Sequence, residues 1–220
     1  MKKILPALAA LALLFACTPV DDNSGTESAE VPAGAVDLGL SVYWATCNIG
    51  ANAPEEYGGY YDWGETETKE KFTSNYKWFN YADDTYTKYN TSSSYGAVDN
   101  KTVLEPEDDV AHVKLGGSWR MPTDAEWTEL RDNCTWTWTA QNGVNGSLVT
   151  GPNGNSIFLP AAGCAFGTAH DREGTNGFYW SSSLDTDDPS RAWAVNANSK
   201  DVRRSNDSRN IAYPVRPVCE

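Results

Sequence analysis

Two lysines, Lys2 and Lys3, precede an unbroken apolar stretch over residues 4–16, which ends Leu14-Phe15-Ala16-Cys17. The stretch is too short to cross a bilayer as a helix, which takes about 20 apolar residues. Its basic start and apolar body mark a signal peptide over residues 1–16. Residues 17–34 are polar and acidic without periodicity, the pattern of a flexible tether. From residue 35 to residue 220 the chain shows short aromatic and apolar clusters separated by Gly, Asn, Ser and Asp, as expected of one folded domain.

Within that domain the periodicity predicts two short helices and a turn-rich antiparallel sheet, an α+β class. Residues 35–49 (AVDLGLSVYWATCNI) read as strand-forming, and residues 55–65 as a tight aromatic turn around Gly59 and Gly64. Residues 66–100 have little periodicity, and so long a loop needs a binding or packing reason. Asp108-Asp109 before VAHVKL and then Gly116-Gly117 predicts a helix with an acidic cap and a glycine stop. Thr123 and Glu126 fit a capping box, with Ala125, Trp127 and Leu130 near one face and Asn133 as the stop. Residues 135–139 (TWTWT) alternate strictly, so Trp136 and Trp138 share one face of a strand. Asn-Gly pairs at 142–143, 145–146 and 153–154 predict hairpin turns. Residues 156–160, 177–181, 191–195 and 211–215 are further short strands, and no fixed-period repeat is present.

Composition narrows the function. The chain carries 17 Lys and Arg against 30 Asp and Glu, a formal charge of −13. Such an acidic balance argues against nucleic acid as the partner, because a phosphate backbone needs a basic footprint. With 2 His and 2 Met there is little material for a histidine metal site or haem, so no metal or cofactor is expected. The 9 Trp, 11 Tyr and 6 Phe point to a stiff aromatic frame and exclude a helix bundle. The charge is uneven: residues 165–220 are close to neutral while residues 17–164 are strongly acidic. Cys47, Cys134, Cys164 and Cys219 make an even count, which in an exported chain predicts two disulfides from three possible pairings. Our expectation pairs Cys47 with Cys134 and Cys164 with Cys219.

The Leu14-Phe15-Ala16-Cys17 end resembles a bacterial lipobox. That implies lipidation of Cys17 and membrane contact through the lipid anchor only, since acyl chains on the cysteine supply the anchors needed. The acidic stretch after it resembles the export signal of Bacteroidetes lipoproteins, implying an outer-membrane, surface-exposed location. GGSWRMPTDAEW, followed by SIFLPAAG, FYWSSS, RAWAV and PVRPV, resembles the Bacteroidetes surface lipoproteins with a major paralogous domain. The resemblance spans residues 35–220. It implies a C-type-lectin-like fold related to formylglycine-generating enzymes, with a C-terminal ligand-binding region at 165–220. A subset of such proteins is diversified by retroelements that rewrite adenine-containing codons near the 3′ end of the gene. The Asn, Ser, Asp and Arg between the scaffold phrases fit that outline, while Lys200 and Glu173 fall outside it.

The candidate ligand face comprises Asp171, Arg172 and Asn176 before the FYW strand, Asn196 and Asn198 at the RAWAV strand, and Lys200, Asp201, Arg203, Arg204, Asn206, Asp207 and Arg209 on a following loop. These groups offer paired donors and acceptors suited to a glycan, a host protein or a phage component. The expected function is a non-enzymatic adhesin or receptor. The alternative is an enzyme on a formylglycine-generating or carbohydrate-active scaffold. Catalytic patterns are weak: Ser181-Ser182-Ser183 lacks a nucleophile elbow, His112 falls inside a predicted helix, and His170 has no evident metal co-ligands. Cys164 and Cys219 do not match the paired-cysteine motif of the formylglycine-generating enzymes. Glu105, Glu107, Asp108 and Asp109 lack the spacing of a calcium loop and read as helix N-terminal charges.

Overall fold

β-strands supply most of the regular structure, as short antiparallel pieces. The computed structural model describes residues 31–72 and 75–220; the signal peptide, Cys17 and the tether up to residue 30 lie outside them. In chain order the elements are β1 (Ala35–Val36), β2 (Tyr43–Ala45), β3 (Phe79–Asn80), β4 (Thr85–Tyr86), α1 (Val110–Leu115) and α2 (Asp124–Asn133). They continue with β5 (Thr135–Gln141), β6 (Val144–Thr150), β7 (Ser156–Pro160), β8 (Cys164–Phe166) and β9 (Ala169–Asp171). The last four are β10 (Asn176–Leu184), β11 (Arg191–Asn198), β12 (Val202–Ser208) and β13 (Val218–Cys219). Mostly antiparallel sheet with two short helices is an α+β arrangement, as the periodicity predicted.

Both helices start where their caps dictate. Asp109 Oδ1 accepts from the Ala111 and His112 N–H groups at 2.9 and 3.1 Å, and Gly116 ends α1 at φ 70°. Asp109, not the whole acidic run, does the capping. For α2, Thr123 Oγ1 accepts from Glu126 N at 3.3 Å and Glu126 Oε2 accepts from Thr123 N at 2.7 Å, the full capping box. Arg120 then holds the Glu126 carboxylate through its two terminal nitrogens, Nη1 and Nη2, at 2.8 and 2.6 Å.

The sheet that positions the candidate site is β10–β11–β12, antiparallel throughout. Side chains alternate across it, and both faces are covered. Phe178, Trp180, Ala192 and Ala194 point into one core cluster with Trp63 and Tyr213. Tyr179 and Val195 point into the other, with Trp127 and Leu130 of α2 and Trp44. Burial on both faces explains why residues 178–180 are an unbroken aromatic run. The β10–β11 register slips between Trp180 and Leu184. At that irregularity Trp127 Nε1 donates to the Trp180 carbonyl and Trp63 Nε1 to the Ser181 carbonyl, at 3.1 and 2.8 Å. Indoles thus satisfy carbonyls at the irregularity, where the ladder is broken.

Four sequence expectations change. The Asn-Gly pair at 142–143 closes the β5–β6 hairpin with both residues at positive φ, and 153–154 lies in the β6–β7 turn, but 145–146 sits inside β6. Gly146 is there for space, since a Cβ would strike the Leu159 carbonyl and the Phe158 ring. Residues 211–215 form no strand, only isolated bridges such as Tyr61 to Tyr213, because Pro214 has no N–H to extend a ladder. Residues 202–208, expected as a loop, form the edge strand β12. The expected disulfides are not formed: Cys47, Cys134, Cys164 and Cys219 are all free thiols. Cys47 lines an open cavity after β2 while Cys134 packs against the Leu130 cluster at the end of α2, and Cys164 of β8 packs against the Trp180 cluster while Cys219 is buried on β13, so neither expected pair is brought together.

Among its described residues, the long segment over 66–100 contains only the β3–β4 pair and a short 3-10 turn at Ser93–Tyr95. It is held from inside by Arg209, which is fully buried.

Candidate functional site

The register of β12 against β11 distributes the expected ligand residues over two faces. Arg203 pairs with Asn196 and Asp207 with Ala192, on the face that also carries Phe178 and Trp180. Arg204 pairs with Val195 and Asn206 with Trp193, on the opposite face, toward α2. Arg204 Nε donates to Asp124 Oδ1 at 2.7 Å, and its guanidinium lies 3.0 Å from the centroid of the Trp193 ring. Asn206 Nδ2 donates to Asp185 Oδ2. Arg204 and Asn206 therefore leave the expected face, because strand side chains alternate where loop side chains need not.

Two of the expected contacts are interior. Arg209 donates from Nε to the Tyr76 hydroxyl, from Nη1 to the carbonyls of Tyr89 and Pro189, and from Nη2 to that of Lys88, all at 2.9–3.1 Å. Asn196 is buried and accepts from Asn176 Nδ2 at 3.0 Å. Asn198 and Asp201 close the β11–β12 turn on themselves: Asn198 Nδ2 donates to Asp201 Oδ1 at 2.7 Å and Asn198 Oδ1 accepts from Lys200 N at 2.8 Å. Lys200 is exposed at the tip.

What the fold does bring together is Asp171, Arg172 and Asp207, around an open hollow of about 420 Å³. The β8–β9 hairpin contributes one wall, with Cys164 opposite Asp171 in register. Phe178, Tyr213 and Ile211 form its apolar lining, and Phe166 stands at its side, 56% exposed. Gly163, at φ 65°, lets the hairpin close on the following turn, since a Cβ there would collide with the Asp171 carbonyl. Arg172 also has positive φ, 60°, and its guanidinium lies 3.4 Å from Asp171 Oδ2 and 5.8 Å from the Phe178 ring centroid. Burial, reinforced by the neighbouring Asp207 carboxylate, pushes the Tyr213 hydroxyl far up, so it stays protonated and hydrogen-bonded to Asp207. The hollow is thus an aromatic pocket with two carboxylates and one guanidinium at its mouth. Phe166 was missed from the sequence; a phenylalanine directly before the Gly167 turn is the only signal that marked it.

The other candidate chemistry resolves into structural roles. Glu105, Glu107 and Asp108 converge, but Lys88 sits among them at 2.6, 3.6 and 2.6 Å, and Lys77 and Lys101 add further ion pairs. His170 Nδ1 lies 2.7 Å from Glu173 Oε1, with the Tyr60 ring against it. His112 Nδ1 lies 3.3 Å from the Trp119 carbonyl. Ser181 Oγ donates to the Trp193 carbonyl at 2.8 Å. Burial pushes the Cys164 and Cys219 thiols up, the direction opposite to that of a nucleophilic cysteine. A larger cavity, about 510 Å³, opens beside Cys47, Ile49, Lys114, Leu115 and Trp119. It includes none of the expected ligand residues, and its amine, Lys114, is already paired with Glu67 at 2.7 Å. The hollow at Asp171, Arg172 and Asp207 therefore carries the more specific chemistry despite its smaller volume. No family model, curated protein or solved structure matches the chain.

Proposed function

We propose that this protein is a surface-anchored, non-enzymatic ligand-binding lipoprotein of adhesin or receptor type, on a C-type-lectin-like scaffold. Cys17 carries the lipid anchor at the outer membrane, and the ligand, a glycan, host protein or phage component, contacts the hollow between β8–β9 and the β10–β11–β12 sheet. The observation that carries this reading is the meeting of Asp171, Arg172 and Asp207 with the exposed Phe166 around one apolar-lined hollow. An aromatic face beside fixed donors and acceptors is the usual make-up of a recognition site. Arg203 and Asn176 lie on the same sheet face and extend the polar surface.

If residues 165–220 are diversified, the rewriting falls on exposed positions such as Asp171, Arg172 and Arg203, and spares the buried Asn196 and Arg209. An imperfect 3′ repeat differing at adenines, beside a reverse-transcriptase gene, is the matching genomic signature.

The test is a glycan and protein array probed with the full chain and with an Arg172→Ala, Asp207→Asn variant. Hits should weaken by at least about tenfold in the variant, the effect of losing one or two charged contacts. Unchanged binding of every hit would remove the hollow from the proposal.

A further inference from the structure

The β5–β6–β7 sheet has two edges, and the chain treats them differently. At β7 the Phe158 carbonyl accepts from the buried Arg216 Nη2 at 2.9 Å. The β12 edge of the other three-stranded sheet carries Arg203, Arg204 and Asp207. Charged side chains and capped backbone groups are the ordinary means of blocking unwanted strand pairing. β5 has neither. Among the described residues it pairs with β6 alone, in continuous register from Thr135 to Gln141, and no backbone group of residues 135–141 bonds elsewhere. The strand, TWTWTAQ, has no charge, no proline, no glycine and no bulge, in a chain of net charge −13.

Its sequence also says what fits there. Residues 135–139 read the same in both directions, Thr-Trp-Thr-Trp-Thr, centred on Thr137. An antiparallel neighbour with the same sequence places Thr opposite Thr on one face and Trp opposite Trp on the other. Both are favourable cross-strand pairs, and no like charges meet along the edge. The faces already match that arrangement. Thr135, Thr137 and Thr139 are exposed on the outer face, while Trp136 packs against the core cluster that holds Leu130 and Val149. Trp138 is half-buried and belongs to no core cluster of the described residues. A second copy would lay its Trp136 against this half-buried indole and extend the core across the boundary.

We propose that β5 is a self-association edge: two copies of this chain pair antiparallel about Thr137, joining two three-stranded sheets into one six-stranded sheet. The contact is isologous, so it closes as a dimer and does not propagate. It is independent of the ligand reading, since β5 contributes nothing to the hollow at Asp171, Arg172 and Asp207.

Sedimentation equilibrium of the purified full chain over a wide concentration range tests the proposal. A reversible monomer–dimer equilibrium is expected. Thr137→Lys and Thr137→Glu each place like charges against each other at the two-fold axis and should weaken dimerisation by roughly tenfold or more. Their equimolar mixture should recover it, since Lys then faces Glu. Thr137 is exposed, so both variants should keep the wild-type circular dichroism spectrum. A wild-type chain that stays monomeric, an oligomer indifferent to either substitution, or a mixture that fails to recover association would each overturn the proposal. Pairing of β5 with an extended peptide of another protein would appear as the first of these outcomes.

Discussion

The Arg209 Nε donates to the Tyr76 hydroxyl at 2.9 Å, joining the last segment of the chain to the long irregular segment over residues 66–100. The same guanidinium bonds three carbonyls and lies 5.0 and 4.6 Å from the ring centroids of Trp63 and Tyr86. A fully buried cation persists because each face of it meets an acceptor or a ring. Arg209→Ala would leave three carbonyls, two of them buried, without donors, so it should cost about 3–5 kcal/mol. Arg209→Lys, with fewer donors and no planar fork, should recover less than half of that. Urea denaturation of the two variants measures both. A loss below about 1 kcal/mol in Arg209→Ala would mean that the long segment is held by other contacts.

The division of β12 residues between two faces predicts a division of effects. Arg204→Ala and Asn206→Ala act on the α2 side, so ligand binding should stay unchanged while Arg204→Ala lowers stability by about 1 kcal/mol. Asp207→Asn and Arg172→Ala should do the reverse. Parallel array binding and thermal melts of the four variants check the division; loss of binding in Arg204→Ala would place the ligand across the edge of β12.

Asp62 predicts a pH dependence. Burial pushes its carboxyl up to about 6, against the opposing pull of the Lys69 ammonium 3.0 Å away. Its Oδ1 is buried without a hydrogen-bond partner, which is consistent with that direction. The folded protein therefore holds this proton more tightly than the unfolded chain does. The stabilisation from Asp62 is complete below about pH 4, the unfolded value, and disappears as pH rises through the folded value of about 6, a swing of about 3 kcal/mol. Asp62→Asn abolishes the swing. Denaturation free energies of wild type minus variant should fall across that interval and level off above it; a difference that climbs with pH would reverse the assignment.

The start of α2 predicts non-additivity. Thr123→Ala should cost about 1 kcal/mol through loss of the cap. Glu126→Ala should cost more, because it also strips Arg120 of its bidentate partner at 2.8 and 2.6 Å. Since Thr123 and Glu126 form one reciprocal unit, the double variant should fall short of the sum by about 0.5 kcal/mol or more. A double-mutant cycle by chemical denaturation reads the coupling directly, and strict additivity would mean the two bonds act separately.

Much of the self-contained local chemistry was legible, although the Asn145-Gly146 pair, read as a turn, lies inside β6. The Asp109 and Thr123 caps, the alternation of Trp136 and Trp138, and the Asn142-Gly143 turn all depend on residues a few positions apart. β12 was not legible, because Val202–Ser208 has no apolar alternation; its strand form comes from the backbone of β11 alongside it. Arg209 looked like a surface group for the same reason, since its acceptors lie at Tyr76, Lys88, Tyr89 and Pro189, three of them more than a hundred residues away. The hollow was half legible: Asp171, Arg172 and Asp207 were expected together, whereas Phe166 and Tyr213 entered only when β8–β9 folded against the sheet.

By itself the sequence determined the α+β class, the caps of both helices, the Asn142-Gly143 turn and the aromatic frame, because each depends on near neighbours and on side-chain period. The tertiary structure alone decided which polar groups of residues 165–220 face outward together and which are interior. Register and burial set that outcome, and both depend on backbone partners far away along the chain, where a polar residue carries no mark of whether it will meet water or a carbonyl.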